Sequence, residues 1–263
     1  MEQGLVVCGA SDTGLAREQN EDTFVIADLR SGEITSPCTR TDVPLSSDGL
    51  LMLVCDGMGG AAAGEVASRV AAESIKRRLV GGTEQVAAHP SQSLEAAVAD
   101  ANRAVRAEIA AHPENKGMGT TCTAAVVLRQ ELVVANVGDS RAYLFRDGQL
   151  HALTRDQSVV SKLMDSGVLR PEQAEHHPLR HVLLQAVGTS AQVAPAITEV
   201  SLKRGDRILI CSDGLHGCVS NEQIAAALHD TAEVAQATQK LVKLALDAGG
   251  PDNVTVLVAD CPG

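Results

Sequence analysis

The sequence predicts an α+β fold: an antiparallel β-sandwich with helices packed on its outside. Three observations carry this. Short apolar runs and helical stretches come in groups, not in strict strand–helix alternation. Apolar residues make up 44% of the 263 positions, ample for a core, and that core must be aliphatic, since there is no Trp, one Tyr and two Phe. Asp147-Gly148, set between two apolar runs, is a two-residue hairpin signal.

Strands are expected at Leu5–Ala10, Thr23–Asp28 and Leu50–Cys55. The last two are joined by a long segment, Arg30–Gly49, rich in Ser, Thr, Pro and Gly. It reads as an exposed surface loop, with a regulatory or partner-contact role as the alternative. Helices follow at Glu65–Leu79 and Ser93–Ala111, the second placing Leu94, Val98, Ala101, Val105 and Ile109 on one stripe. Cys122–Leu128, Glu131–Val137, Arg141–Phe145 and Leu150–Leu153 read as a meander. Within the mixed segment 156–187, short helical stretches are expected around Val159–Met164 and from Pro171, a favoured first-turn residue. Strands resume at Ile197–Leu202 and Arg207–Cys211. Ser220 and Gln223 then make a capping box, Thr231–Asp247 a longer helix closed by Gly249, and Val254–Ala259 the last strand. No internal repeat or interdomain linker interrupts 1–263, which reads as one domain.

A net charge of −11 argues against nucleic-acid binding, which needs a basic face. The seven cysteines are scattered, with no CxxC pair, and Cys8, Cys55, Cys122 and Cys211 lie in strand-like runs as small buried hydrophobes. This usage suits a reducing cytoplasm. The acidic, polar start is unlike a signal peptide. No apolar run approaches the roughly 18 residues that would span a bilayer. A cytoplasmic protein without membrane contact is expected.

Four acidic motifs carry the chemistry: Asp56-Gly57-Met58-Gly59-Gly60, Gly138-Asp139-Ser140-Arg141, Ser212-Asp213-Gly214 and Gly250-Pro251-Asp252-Asn253. Each aspartate sits at or near the end of an expected strand. Strand ends and starts lie side by side in an antiparallel sheet, so all four carboxylates can gather at one rim. Like charges so placed repel and raise each other's pKa unless cations neutralise them, and oxygen-only ligands favour hard divalent ions.

Taken with Ser11-Asp12-Thr13-Gly14-Leu15-Ala16-Arg17-Glu18-Gln19-Asn20-Glu21-Asp22, Met118-Gly119-Thr120-Thr121 and Gly205-Asp206-Arg207, these motifs resemble the metal-dependent type 2C protein serine/threonine phosphatases, most closely the compact bacterial members. The resemblance runs in consistent order from Ser11 to Val258. It implies a four-layer α-β-β-α sandwich, with helix pairs flanking the two sheets. It also implies two or three Mn²⁺ or Mg²⁺ ions at one end, and hydrolysis of phosphoserine and phosphothreonine in opposition to protein kinases. Phosphorylated proteins, among them serine/threonine kinases and their substrates, are the partners so implied, and a monomer is expected.

The residue chemistry points the same way. Asp56 has two oxygens with which to bridge two metals, Gly57 lets its backbone carbonyl approach as a further ligand, and Asp213 and Asp252 would complete the pair of sites. Two cations about 3.5–4 Å apart share a water and lower its pKa for in-line attack on phosphorus. No protein nucleophile is then needed, and neither a Cys-x5-Arg loop nor a Gly-x-Ser-x-Gly elbow is present. Asp139 matches the family position that holds a third metal together with Asp213. Arg17 is the candidate to grip substrate phosphate through two oxygens, the alternative being a surface ion pair with Glu18 or Glu21. Glu21 and Asp22 are expected to orient metal-bound waters.

Two departures bear on the leaving group. Met58 and Ala61 stand where many relatives carry histidine. The proton then comes from a metal-bound water or from His176, His177 or His181 in the segment matching the family's flap, 156–187. A non-catalytic module on the same fold would be marked by lost carboxylates, and all four aspartates are retained. A phosphatase for small molecules would favour a metabolite over phosphopeptides.

Overall fold

In the computed structural model, residues 4–32, 41–44, 49–59, 63–174 and 177–261 are described. One sheet carries, in spatial order, β3 (Thr41–Pro44), β1 (Gly4–Asp12), β12 (Val254–Asp260), β11 (Arg207–Cys211), β8 (Arg141–Arg146) and β9 (Gln149–Ala152). The other carries β10 (Ala196–Ser201), β7 (Glu131–Val137), β6 (Cys122–Leu128), β4 (Leu50–Met58) and β2 (Asp22–Asp28), with the short β5 (Gly119–Thr120) paired to the end of β4. Among the described residues every strand pairing is antiparallel.

Period-two alternation sorts the apolar side chains into layers. In β4, Leu50, Met52 and Val54 point between the two sheets, where they meet Ile208 and Ile210 of β11 and Leu257 and Ala259 of β12. Leu51, Leu53 and Cys55 point the other way, against Ala67, Ala71 and Ile75 of α1 (Ala63–Leu79) and Val98 and Ala101 of α3 (Pro90–Ala111). On the far side, Leu209, Cys211, Val256 and Val258 pack against Ile224 and Leu228 of α7 (Asn221–Asp230) and Ala237, Leu241 and Ala245 of α8 (Val234–Asp247). The result is the expected α-β-β-α order. Central strands buried on both faces explain why β6 and β12 read as continuous apolar runs.

Several expectations are corrected. The 30–49 segment is not wholly a loop: Thr41–Pro44 adds to the edge of β1, with Leu5 opposite Val43, and so covers backbone groups that would otherwise form an open edge. The rest of that segment, 33–40 and 45–48, lies outside the described residues, as do Gly60, Ala61 and His176. A further helix, α2 (Thr83–Ala88), escaped notice because Val86 is its one buried residue and leaves no periodic signal. Helix α3 starts at Pro90, earlier than Ser93, since proline suits a first turn; α8 starts later, at Val234. The 156–187 segment holds α4 (Val159–Asp165) and α5 (Pro171–Ala174) as expected. The Ser220–Gln223 capping box is present in both directions.

Candidate active site

Register brings the acidic motifs to one end of the sandwich. Asp22 stands opposite Asp56 across β2 and β4. Cys211, two residues before Asp213, is paired with both Arg141 and Val256, which follow Asp139 and Asp252 closely in the chain. Asp213 opens α6 (Asp213–His216), a single turn after β11. Asp56, Asp139, Asp213 and Asp252 all line one cavity of about 890 Å³, together with Arg17, Glu21 and the backbone of Gly57.

Close packing builds this end. A Cβ on Gly57 would lie 2.2 Å from the Gly64 carbonyl oxygen and 2.6 Å from that of Glu21, so no other residue fits there. Asp56 is held through its backbone: its amide donates to Thr121 Oγ1 at 2.9 Å, and Thr120 Oγ1 donates to its carbonyl at 2.8 Å. The loop bearing Arg17 is latched by Asn253. Its Nδ2 donates to the carbonyls of Thr13 and Gln19 at 2.9 and 2.8 Å, and its Oδ1 accepts from the Glu21 amide at 2.8 Å. Gly14, at φ +78°, lets that loop pass against Asp252, whose carbonyl oxygen would lie 2.2 Å from a Cβ.

Asp22 lies behind the cavity wall. Its Oδ2 accepts from Ser212 Oγ and Thr255 Oγ1, both at 2.7 Å. The chain of donors continues outward from Thr255 to Ser11 Oγ at 2.7 Å, and from there to Asn20 Nδ2 at 2.8 Å. Asp22 Oδ1 is buried without a partner among the described residues. An orphaned carboxylate oxygen at this depth is costly and wants a donor or a cation.

The electrostatics identify Asp56 as the hub. Burial pushes its pKa well above the usual carboxylate range, and the charges of Asp22, Asp213, Asp139 and Asp252 push it further. Burial, opposed by the two hydroxyl donors, leaves Asp22 at about 7. Asp139 is also raised to about 7, by burial and then by Asp213. Asp213 is raised by burial and by Asp252, and lies within hydrogen-bonding reach of Asp56. Without added positive charge this cluster retains protons near neutrality. The donor set, all oxygen and acidic, fits hard divalent cations. Among the described residues no three such side chains converge to hold one ion by themselves. That arrangement matches ions that keep much of their water and take one or two carboxylates each.

Arg17 is in an ion pair, but not with Glu18 or Glu21: Nη2 sits 2.7 Å from Asp252 Oδ2. Of the flap histidines, His181 lines the cavity, while His177 uses Nδ1 to accept the Leu179 amide. Arg180 also lines the cavity and has no ion pair among the described residues. It was missed in the sequence, where nothing distinguishes it from a surface arginine. His216 was missed as well. Burial lowers its pKa to about 4, and its neutral ring hydrogen-bonds the Asp139 carbonyl through Nε2 at 3.0 Å. Its position three residues after Asp213 was the available signal.

Residues 41–247 match the family described as protein phosphatase 2C. The chain is 40% identical over 250 residues to the serine/threonine protein phosphatase PstP of Mycobacterium tuberculosis, covering 95% of this chain and 44% of that protein. It therefore spans less than half the length of that relative. It is 32% identical over 211 residues to the serine/threonine phosphatase stp of Listeria welshimeri, covering 80% and 84% of the two chains. The crystal structure of the PstP catalytic domain in complex with two manganese ions superposes with a TM-score of 0.80 at 37% identity, covering 98% of this chain and 100% of that one. The chain belongs to the protein phosphatase 2C family.

Proposed function

We propose that residues 1–263 form one catalytic domain that hydrolyses phosphoserine and phosphothreonine in proteins, using two or three Mn²⁺ or Mg²⁺ ions. The observation that carries this is the convergence of Asp56, Asp139, Asp213 and Asp252 on one cavity, with pKa values raised for Asp56, Asp139 and Asp213. Asp56, Asp213, Asp252 and the Gly57 carbonyl would hold one pair of ions, and Asp139 with Asp213 a third. When bound, such ions supply the charge that lets these carboxylates ionise together and acidify a water for attack on phosphorus.

The chain's own residues do the rest. Asp56, gripped by Thr120 and Thr121, fixes the centre of the site. Asp22, held by Ser212 and Thr255 behind the cavity wall, would orient metal-bound water from there, and Glu21 lines the wall beside it. Arg17 is positioned to exchange Asp252 for two phosphate oxygens of the substrate. Met58 lines the cavity and has no proton to give, so protonation of the leaving oxygen falls to water or to His181.

The proposal extends to the cell as a cytoplasmic, monomeric signalling enzyme opposing serine/threonine kinases and acting on their substrates, a location that the scattered cysteines suit. No described helix is long and apolar enough to cross a membrane. The test is hydrolysis of a phosphothreonine peptide with Mn²⁺, with Mg²⁺ and with chelator in parallel. Turnover with either metal and none with chelator is expected; turnover undiminished by chelator would overturn the reading.

A further inference from the structure

Large apolar side chains are rarely left in water without reason when they gather in one place. Among the described residues six are exposed: Leu15, Met58, Val168, Leu179, Val182 and Leu184. All but Val168 either line the acidic cavity or stand within two residues of one that does. Met58 lines it. Leu15 stands two residues before Arg17, at 70% exposure, with its amide on the Gly250 carbonyl beside Pro251 and Asp252. Leu179 and Val182 bracket the cavity-lining Arg180 and His181, in a turn closed by the Val182 amide on the Leu179 carbonyl. Leu184 follows Leu183, which also lines the cavity.

Inside this collar the surface is charged. Arg17 and Arg180 face the space a phosphate would enter, and Glu18, Glu21 and Asp252 share the wall with them. A peptide docked there meets charged groups of both signs at close range and apolar side chains beyond them. Glu18 and Glu21 beside the entrance, on a chain whose net charge is −11, disfavour acidic neighbours of the phosphorylated residue. Apolar neighbours gain by covering leucine and valine side chains, and the flexible Met58 adapts to whichever side chain lies against it.

We infer that the collar of Leu15, Leu179 and Val182 selects phosphopeptides carrying apolar residues next to the phosphothreonine. The inference rests on the phosphatase reading above and names the substrate class of that site.

The test compares kcat/KM, with Mn²⁺, on two phosphothreonine peptides that differ only at the flanking positions. One has Leu and Val there, the other Ser and Asp; p-nitrophenyl phosphate, which has no flanks, is the third substrate. Docking of apolar groups of this size separates substrates by about tenfold or more. The wild type should favour the apolar peptide by that factor. Leu179→Ser with Val182→Ser should remove most of the preference, and Leu15→Ser part of it, while p-nitrophenyl phosphate turnover stays unchanged. These positions are exposed, so folding is not at stake. Equal rates of the wild type on both peptides, or a preference that survives the double variant, would overturn the inference and leave the phosphatase reading intact. A concentration-dependent dimer lost in the double variant, with no peptide preference, would assign the collar to a second copy instead. No hydrolysis of any of the three substrates would overturn both.

Discussion

The guanidinium of Arg17 donates a 2.7 Å hydrogen bond to Asp252 Oδ2, joining residues 235 positions apart in the chain. The pair puts the residue proposed to bind phosphate in contact with a carboxylate proposed to bind metal. Each occupies a donor or acceptor that the other's ligand would use. Arg17→Ala should therefore act in opposite directions on the two. Mn²⁺ affinity should hold or rise, because Asp252 is freed and a nearby cation removed. KM for a phosphopeptide should rise by about tenfold, the scale of one charged hydrogen bond. Arg17→Lys keeps charge without the fork and should recover only part. Calorimetry with Mn²⁺ beside steady-state kinetics reads both; parallel losses would make the pair structural.

Neutralising the hub should separate stability from activity. Asp56→Asn removes a charge that four other carboxylates press upon. Turnover should fall by at least about a hundredfold, as for Asp213→Asn and Asp252→Asn, because water activation is lost. Metal-free Asp56→Asn should nevertheless melt above the metal-free wild type near pH 8. A lower melting temperature would mean that the cluster is not under repulsive strain.

Stability of the metal-free protein should depend on pH in the direction opposite to that of ordinary salt-bridged carboxylates. Asp22 and Asp139 are raised from 3.8 to about 7. Between those values the native state holds protons that the unfolded chain has lost. Their contribution is fully present below about 4 and disappears as pH rises through about 7. Melting of chelated protein should drop as pH rises from about 4 to about 7, and Mn²⁺ should restore it most at the upper end of that range. A chelated protein that gains stability across that interval would contradict the raised values.

Thr255→Val keeps the shape of a buried side chain and removes one of the two donors to Asp22 Oδ2. Mn²⁺ affinity should weaken by about tenfold, the scale of a hydrogen bond to a charged group. Thr255→Ser should recover most of it. Equal loss in both variants would point to packing, not to the hydroxyl.

Asp139 sits in the turn between β7 and β8, and Asp213 is the carboxylate that acts on it most strongly. Asp139→Asn should still bind two ions tightly. It should lose more activity on phosphothreonine peptides than on an aryl phosphate, whose leaving group needs a proton less. Equal losses with two ions bound would give Asp139 another role.

Much of this was legible in one dimension. Alternating or continuous apolar runs mark strands, because a strand buried on one or both faces has no other way to be written. The four aspartates were recognisable by their place at expected strand ends, and register then brought them together. The capping box at Ser220 was local chemistry and formed as written.

What depended on the folded chain was the choice of partner. Nothing near Arg17 says that its carboxylate is Asp252 and not Glu18 or Glu21, since the pair exists only once β1 and β12 lie side by side. The Thr41–Pro44 strand carries too few residues for a pattern and is defined by the open edge of β1 that it covers. The hydroxyl relay from Asn20 through Ser11 and Thr255 to Asp22 joins residues from both sheets. Periodicity and charge are local properties that a sequence displays directly. Hydrogen-bond and ion-pair partners are decided by register and sheet packing, which only the whole fold supplies.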